Sequence, residues 1–141
     1  MPELPELSEP LSDGVVALRE IAEWDIPEVL IAFEDDPRLV AALGLARPPT
    51  GAQLGSQVDH ADAARRAGGP IELTIAHAGE RDCVGRVLIG PVDWEARTVP
   101  LRAWAAPSAR AVGAEDRALA LAQGWLRDVV GLQADVVTRP T

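Results

Sequence analysis

Apolar residues recur along this chain at two spacings, and the switches between them outline its elements. "GVVALREI", from Gly14, reads as a strand. "WDIPEVLIAFEDD" changes to helical spacing, with Val29, Leu30 and Phe33 on one face. Asp25 and Glu28 are spaced as a capping box, and Pro27 falls in the tolerated first turn. Asp36-Pro37 repeats the start signal and predicts a second short helix to about Leu43. Thr50 and Gln53 are spaced as another capping box ahead of a helix from Gly51 to about Ala67, which Gly68-Gly69-Pro70 stops. Period two appears in "IELTIAHAG", where Ile71, Leu73 and Ile75 share a face, and in "CVGRVLIGPVDW", with "GERD" as the hairpin turn. "TVPLRAWAAP" predicts a further strand. "ALALAQGWLRDVVG" predicts a helix ending at Gly131, with Leu121, Trp125, Leu126 and Val129 on its stripe, and "QADVVTRPT" a last strand.

Three antiparallel strands followed by a helical crossover predict an α/β (α+β) fold. Its mixed sheet has the order β-α-α-(α)-β-β-β-α-β, with the last strand parallel to the one before the crossover. Pro100 suggests an edge or a bulge in its strand, because it donates no ladder hydrogen bond. The opening "MPELPELSEPLSDG" is rich in Pro and acid, so residues 1–13 are expected to be a mobile tail and 14–141 a single domain.

Composition narrows the chemistry. The 141 residues are 48% hydrophobic and 25% charged, within the range of soluble globular domains. No apolar run approaches a membrane span and no secretory signal opens the chain, so the expected location is cytoplasmic. The net charge of −9, with no Arg-rich run, argues against a nucleic acid partner. All 13 basic residues are Arg, which removes any Walker-type or Schiff-base Lys, and without Tyr no phenol acts as a general acid. The single cysteine, Cys83, sits beside Val84 and reads as a buried, inert thiol. His60 with Asp59 and Asp62 lies at helix offsets that scatter them over different faces, so no metal site is expected there. His77 reads as a satisfied imidazole, Ser108 as a turn residue, and Trp24 and Trp104 as packing residues.

One stretch carries candidate chemistry. "WAAPSARAVGAEDRALALAQGWL" is a strand, a basic turn holding one glycine, and a long amphipathic helix. The unpaired N–H groups of a helix start, at the positive end of its dipole, make an anion site that needs no Lys. Arg110 is expected to add a charge-assisted contact, and Gly113 to let the backbone approach a phosphate closely.

This stretch, together with "GVVALREI", Asp25, "EDDP", Gly85 in the hairpin and "GLQADVV", resembles the GNAT acetyltransferase superfamily. Within it, the resemblance is to the branch acetylating N-terminal amines of ribosomal proteins and related small amines. It implies acetyl-CoA as cofactor, no metal, and an amine or peptide N-terminus as substrate. The strand end at Ala105 and Ala106 is then expected to pair with the pantetheine arm. The turn through Arg110, Ala111, Val112, Gly113, Ala114 and Glu115 is expected to present N–H groups to the pyrophosphate.

The pattern is also departed from. Ala111 replaces a usual Gly, Glu115 falls where Gly or Ala belongs, and Asp116 where Thr or Ser is common. Two carboxylates facing a pyrophosphate repel it by about 1 kcal/mol each in a water-like dielectric. Pro100 occupies the position of a Glu general base, and the family continues past its fifth strand with a helix and hairpin that this sequence lacks. The expectation is a degenerate acetyltransferase domain of weak or no activity with no identifiable catalytic residue. The alternative is a non-catalytic GNAT-fold interaction or regulatory module. The strand edge near Val136 is expected to be covered by a second copy or another protein partner.

Overall fold

Strand β1 (Leu11–Ser12) opens the element order in the computed structural model, which describes residues 2–137. There follow β2 (Val16–Glu20), α1 (Ile26–Asp35), α2 (Arg38–Ala42), α3 (Gly51–Asp59) and α4 (Ala61–Arg66). The chain continues as β3 (Ile71–His77), β4 (Gly85–Ile89), β5 (Thr98–Ala105), α5 (Ala114–Trp125) and β6 (Gln133–Val136). The six strands lie in one sheet in chain order, antiparallel throughout except for the parallel β5–β6 pair that α5 connects. This is the predicted topology with one short strand added at its start.

The two faces of the sheet differ in chemistry. Leu18, Leu73, Ile75, Val87, Ile89, Val99 and Leu101 form the floor under α5 and are almost wholly buried. Ala114, Ala118 and Ala122, four residues apart on α5, meet that floor with side chains small enough to let the helix settle close to it. Each large aliphatic side chain removed from water here contributes roughly 1.5–3 kcal/mol. On the other face α1, α2 and α3 enclose a smaller cluster of Val29, Phe33, Leu39, Leu54, Cys83 and Trp104. Phe33 and Trp104 meet edge to face, with centroids 5.4 Å apart.

Several local expectations are met and several are corrected. The capping box at α3 is present, with Thr50 Oγ1 accepting from Gln53 N–H (3.1 Å) and Gln53 Oε1 accepting from Thr50 N–H (2.9 Å). The single helix expected from Gly51 to Ala67 is two. It breaks at His60, whose ring Nδ1 lies 2.8 Å from the Ser56 carbonyl and competes for it with the helical ladder. Asp25 and Glu28 form no capping box: the Asp25 carboxylate turns into the sheet, and Glu28 accepts the Cys83 N–H. Pro100 lies in an interior strand, not at an edge. The β4–β5 ladder has its last pair at Ile89↔Leu101, and Gly90 N–H still donates to the Pro100 carbonyl, so the missing donor costs no ladder bond.

The opening segment is packed where a mobile tail is expected. Leu4 is fully buried, exchanges backbone and guanidinium hydrogen bonds with Arg65, and Leu7 N–H donates to Glu20. Leu4 and Leu7, each two places after a Pro, fasten it. Trp24 is also corrected: it is 59% exposed and is flanked by the guanidinium groups of Arg19 and Arg81 rather than by core. Val129 leaves the predicted stripe because the helix widens into a π-type turn at Leu126–Val130, which rotates it into solvent.

Candidate functional site

The parallel ladder between β5 and β6 starts at Thr98↔Gln133 and has its last pair at Leu101↔Val136; Val137 N–H adds a bond to the Leu101 carbonyl. Strand β5 runs four residues farther, to Ala105. Pro100 and Ala106 direct backbone groups to the β4 side, where Ala106 N–H meets the Val84 carbonyl at 2.7 Å. By the period of two, Ala103 and Ala105 direct theirs to the β6 side. Of the two residues expected to pair with an extended arm, Ala106 has its N–H already used by Val84, and Ala105 faces the β6 side.

A 3-10 turn, Pro107–Val112, carries the chain from β5 to α5. Gly113 follows at φ +69°, the left-handed region that glycine occupies without strain, and no atom lies within 4 Å of where a Cβ would stand. Backbone conformation, not crowding, calls for glycine here. Ala114 is buried at the start of α5, Glu115 is half-buried, and Ala111, Val112 and Asp116 are exposed. No side chain caps α5, and its opening N–H groups have no acceptor within the helix. Glu115 and Asp116 put two carboxylates in that same turn, where they offset the dipole.

Arg110, expected to be a phosphate contact, is engaged elsewhere. Its Nη2 is hydrogen-bonded and ion-paired to Asp36, a buried residue between α1 and α2 that also pairs with Arg38. Arg110 is the larger influence holding the Asp36 carboxyl below its ordinary value of 3.8, against the opposing effect of burial. A carboxyl lowered on folding stabilises the native state above its unfolded value and loses that contribution as pH falls through the folded one. Asp36→Asn is therefore expected to destabilise the domain near neutral pH and to lose that difference as pH falls from 3.8 through the lower folded-state value. Denaturant unfolding of both proteins across that range measures it; a pH-independent difference would contradict the pair.

A polar row crosses the opposite face of the sheet. Arg19↔Thr74, Thr74↔Arg86 and Arg86↔Trp104 are successive cross-strand pairs, so these four residues share one face beneath α1 and α3. Asp25 is fully buried at one end, where Arg19 binds both its oxygens (2.6 and 3.1 Å), Thr74 Oγ1 donates at 2.7 Å and Ala22 N–H at 3.0 Å. Arg86 is 1% exposed. Arg19, Thr74 and Arg86 were not singled out in the sequence, although the polar residue inside each apolar strand ("ALRE", "ELTI", "GRVL") was the available signal. Beside the row a cavity of about 630 Å³ opens between α3–α4 and the sheet, with Glu20, Gln57, His60, Glu72 and Leu88 in its wall.

The remaining reactive groups are structural in their contacts. Cys83 is buried, and burial, helped by the charge of Asp25, pushes its thiol up to about 11. His77 Nδ1 lies 2.6 Å from Asp82 across the β3–β4 hairpin, and with Glu80 their ligand-type atoms fall within 4.8 Å of one another. Asp62, near His60, pairs with Arg65 and Arg66. Ser108 is exposed in the turn. Among the described residues no helix is long and apolar enough to cross a membrane.

No family model matches the sequence, and no curated protein matches it significantly. Solved structures match the fold. A protein assigned as a ribosomal-protein-serine acetyltransferase from Vibrio cholerae superposes with a TM-score of 0.77 at 12% identity, over 96% of this chain and 77% of that one. Mycobacterium smegmatis RimJ, in complex with CoA-disulfide, gives 0.75 at 24% identity, over 94% and 67%. The microcin C7 self-immunity acetyltransferase MccE, in complex with acetyl-CoA and AMP, gives 0.70 at 12% identity, over 89% and 74%. These structures share a mixed sheet whose last parallel pair is joined by a crossover helix, as here. It is the GNAT fold, and the chain has it.

Proposed function

We propose that this domain is a GNAT-type acetyltransferase module for an amine acceptor, with an acetyl-CoA cleft of attenuated affinity. The observation that carries the reading is one juxtaposition. The β5 end at Ala105 leads, through a left-handed glycine, into the start of α5, where the described residues form no side-chain cap. An extended arm fits beside Ala105, and a diphosphate fits the positive end of α5. The residues fit the group in shape and in backbone donors. They fit it poorly in charge, since Glu115 and Asp116 occupy the helix start and Asp36 holds Arg110.

Acetyl-CoA would supply an activated thioester, open to attack by a neutral amine. The chain's part is to align the two along β5, exclude water, and polarise the thioester carbonyl with backbone N–H groups. No side chain is assigned as base or acid. The peptide N-terminus remains the acceptor class suggested by the ribosomal-protein acetyltransferase among the fold neighbours. The competing reading, a non-catalytic GNAT-fold interaction or regulatory module, is favoured by the Arg110–Asp36 pair and the acidic helix start.

Thiol release from acetyl-CoA, measured with a panel of amines and peptide N-termini, separates the two readings. The expected result is release close to the blank for the wild type and clearly above it for Glu115→Gln/Asp116→Asn. Release at the blank for both proteins would leave the non-catalytic reading standing.

A further inference from the structure

The connection between β3 and β4 gathers three metal-ligating side chains that the acetyltransferase reading does not use. His77 ends β3, and Glu80 and Asp82 follow it in the turn. His77 Nδ1 lies 2.6 Å from Asp82 Oδ2 and 4.0 Å from Glu80 Oε2. One ligand atom from each residue lies within 4.8 Å of the other two. The backbone sets this convergence: Glu80 N–H donates to the His77 carbonyl (3.0 Å), and Asp82 Oδ1 accepts the His77 N–H (3.1 Å). Glu80 is exposed and the other two are half-buried, so an ion enters from solvent without disturbing the core.

Charge and donor type say which ion. Among the described residues neither carboxylate is paired with an Arg. Arg81, which stands between them in sequence, lays its guanidinium 5.5 Å from the Trp24 ring centroid instead. Two like charges held this close repel; a proton on His77 offsets one of them, and a divalent cation offsets both. An imidazole nitrogen with two carboxylate oxygens suits a borderline ion such as zinc, whereas magnesium and calcium favour oxygen ligands. Zinc at about 2.0–2.2 Å from each ligand keeps tetrahedral neighbours roughly 3.3 Å apart. The 2.6 Å contact then opens, and the 4.0 Å one closes, by about 0.7 Å each, within reach of side-chain rotation at this surface.

We propose that the β3–β4 hairpin binds one zinc-type divalent cation through His77 Nδ1, Glu80 and Asp82, with water completing the shell. The ion ties the two ends of the hairpin turn together. The same hairpin supplies the Val84 carbonyl that takes Ala106 N–H at the head of the turn into α5. The site is independent of the acetyltransferase reading and requires no acetyl-CoA.

The test titrates Zn²⁺, and separately Ca²⁺, into the untagged, chelator-treated wild type by calorimetry. One equivalent of Zn²⁺ is expected to bind, at least tenfold more tightly than Ca²⁺. His77→Ala removes the nitrogen donor and should cut Zn²⁺ affinity at least tenfold. Glu80→Gln, at an exposed position, should do the same, and it carries the test if His77→Ala does not fold. His60→Ala removes the chain's other imidazole and should leave the affinity unchanged. Calcium binding as tightly as zinc would show general attraction to an acidic surface and overturn the site. So would zinc affinity that survives Glu80→Gln, or the absence of saturable zinc binding.

Discussion

Gly85→Ala is expected to be among the most destabilising single substitutions in the protein. Gly85 starts β4 and pairs with Ala105. A Cβ there would stand 2.1 Å from the Trp104 carbonyl oxygen and 2.9 Å from Ala105 Cα. Both are backbone atoms in the middle of the sheet, so no rotamer change relieves the collision, and β4 and β5 must separate instead. Parting them also disturbs the Ala106 N–H bond to Val84 at the head of the 3-10 turn, so the damage reaches the cleft. A loss of roughly 4 kcal/mol or more is expected, against a typical total of about 5–15. Gly55→Ala is the control: it lies within α3 with nothing within 4 Å of its Cβ position, and it should stabilise by up to about 1 kcal/mol. Urea unfolding followed by circular dichroism measures both. A Gly85→Ala midpoint near that of the wild type would contradict the close approach.

Asp25→Ala should be nearly as damaging. Its carboxylate is wholly buried and takes four hydrogen bonds from three residues, two of them from Arg19, whose side chain is itself only 17% exposed. Truncation strands the guanidinium and the Thr74 hydroxyl, and breaking a buried pair from one side costs about 3–5 kcal/mol. Arg19 also donates to the Glu20 and Arg81 carbonyls, so it cannot simply swing into water. In Asp25→Ala/Arg19→Met the stranded charge is gone, and part of the stability should return. Denaturant unfolding of the single and double variants gives the coupling. A loss below about 1 kcal/mol for Asp25→Ala would show that the network contributes little.

The sequence was most informative where the cause of structure lies within a few residues. The Thr50–Gln53 box, the strand alternation and the crossover to a parallel last strand rest on such short-range rules, and each is present. Asp25 and Glu28 obeyed the same spacing rule and failed it, because Arg19 and Thr74 offered Asp25 a better destination. Arg110 and Asp36 are separated by 74 positions, and no periodicity connects them. The row from Arg19 to Trp104 requires the register of four strands, which residue types alone do not provide. In the candidate cleft, Gly113 and the helix start were legible. The diversion of Arg110 and of the Ala106 N–H was not, since each depends on a partner from a distant element.

The most direct test of the proposed cleft is a calorimetric titration of acetyl-CoA into the wild type and into Glu115→Gln/Asp116→Asn. Neutralising the two carboxylates keeps the size of both side chains and removes the negative charge at the helix start. Weak wild-type binding and a gain of about tenfold or more in the variant are predicted, since each carboxylate opposes a nearby phosphate by about 1 kcal/mol or more. Micromolar wild-type affinity, unchanged on neutralisation, would contradict an attenuated cleft.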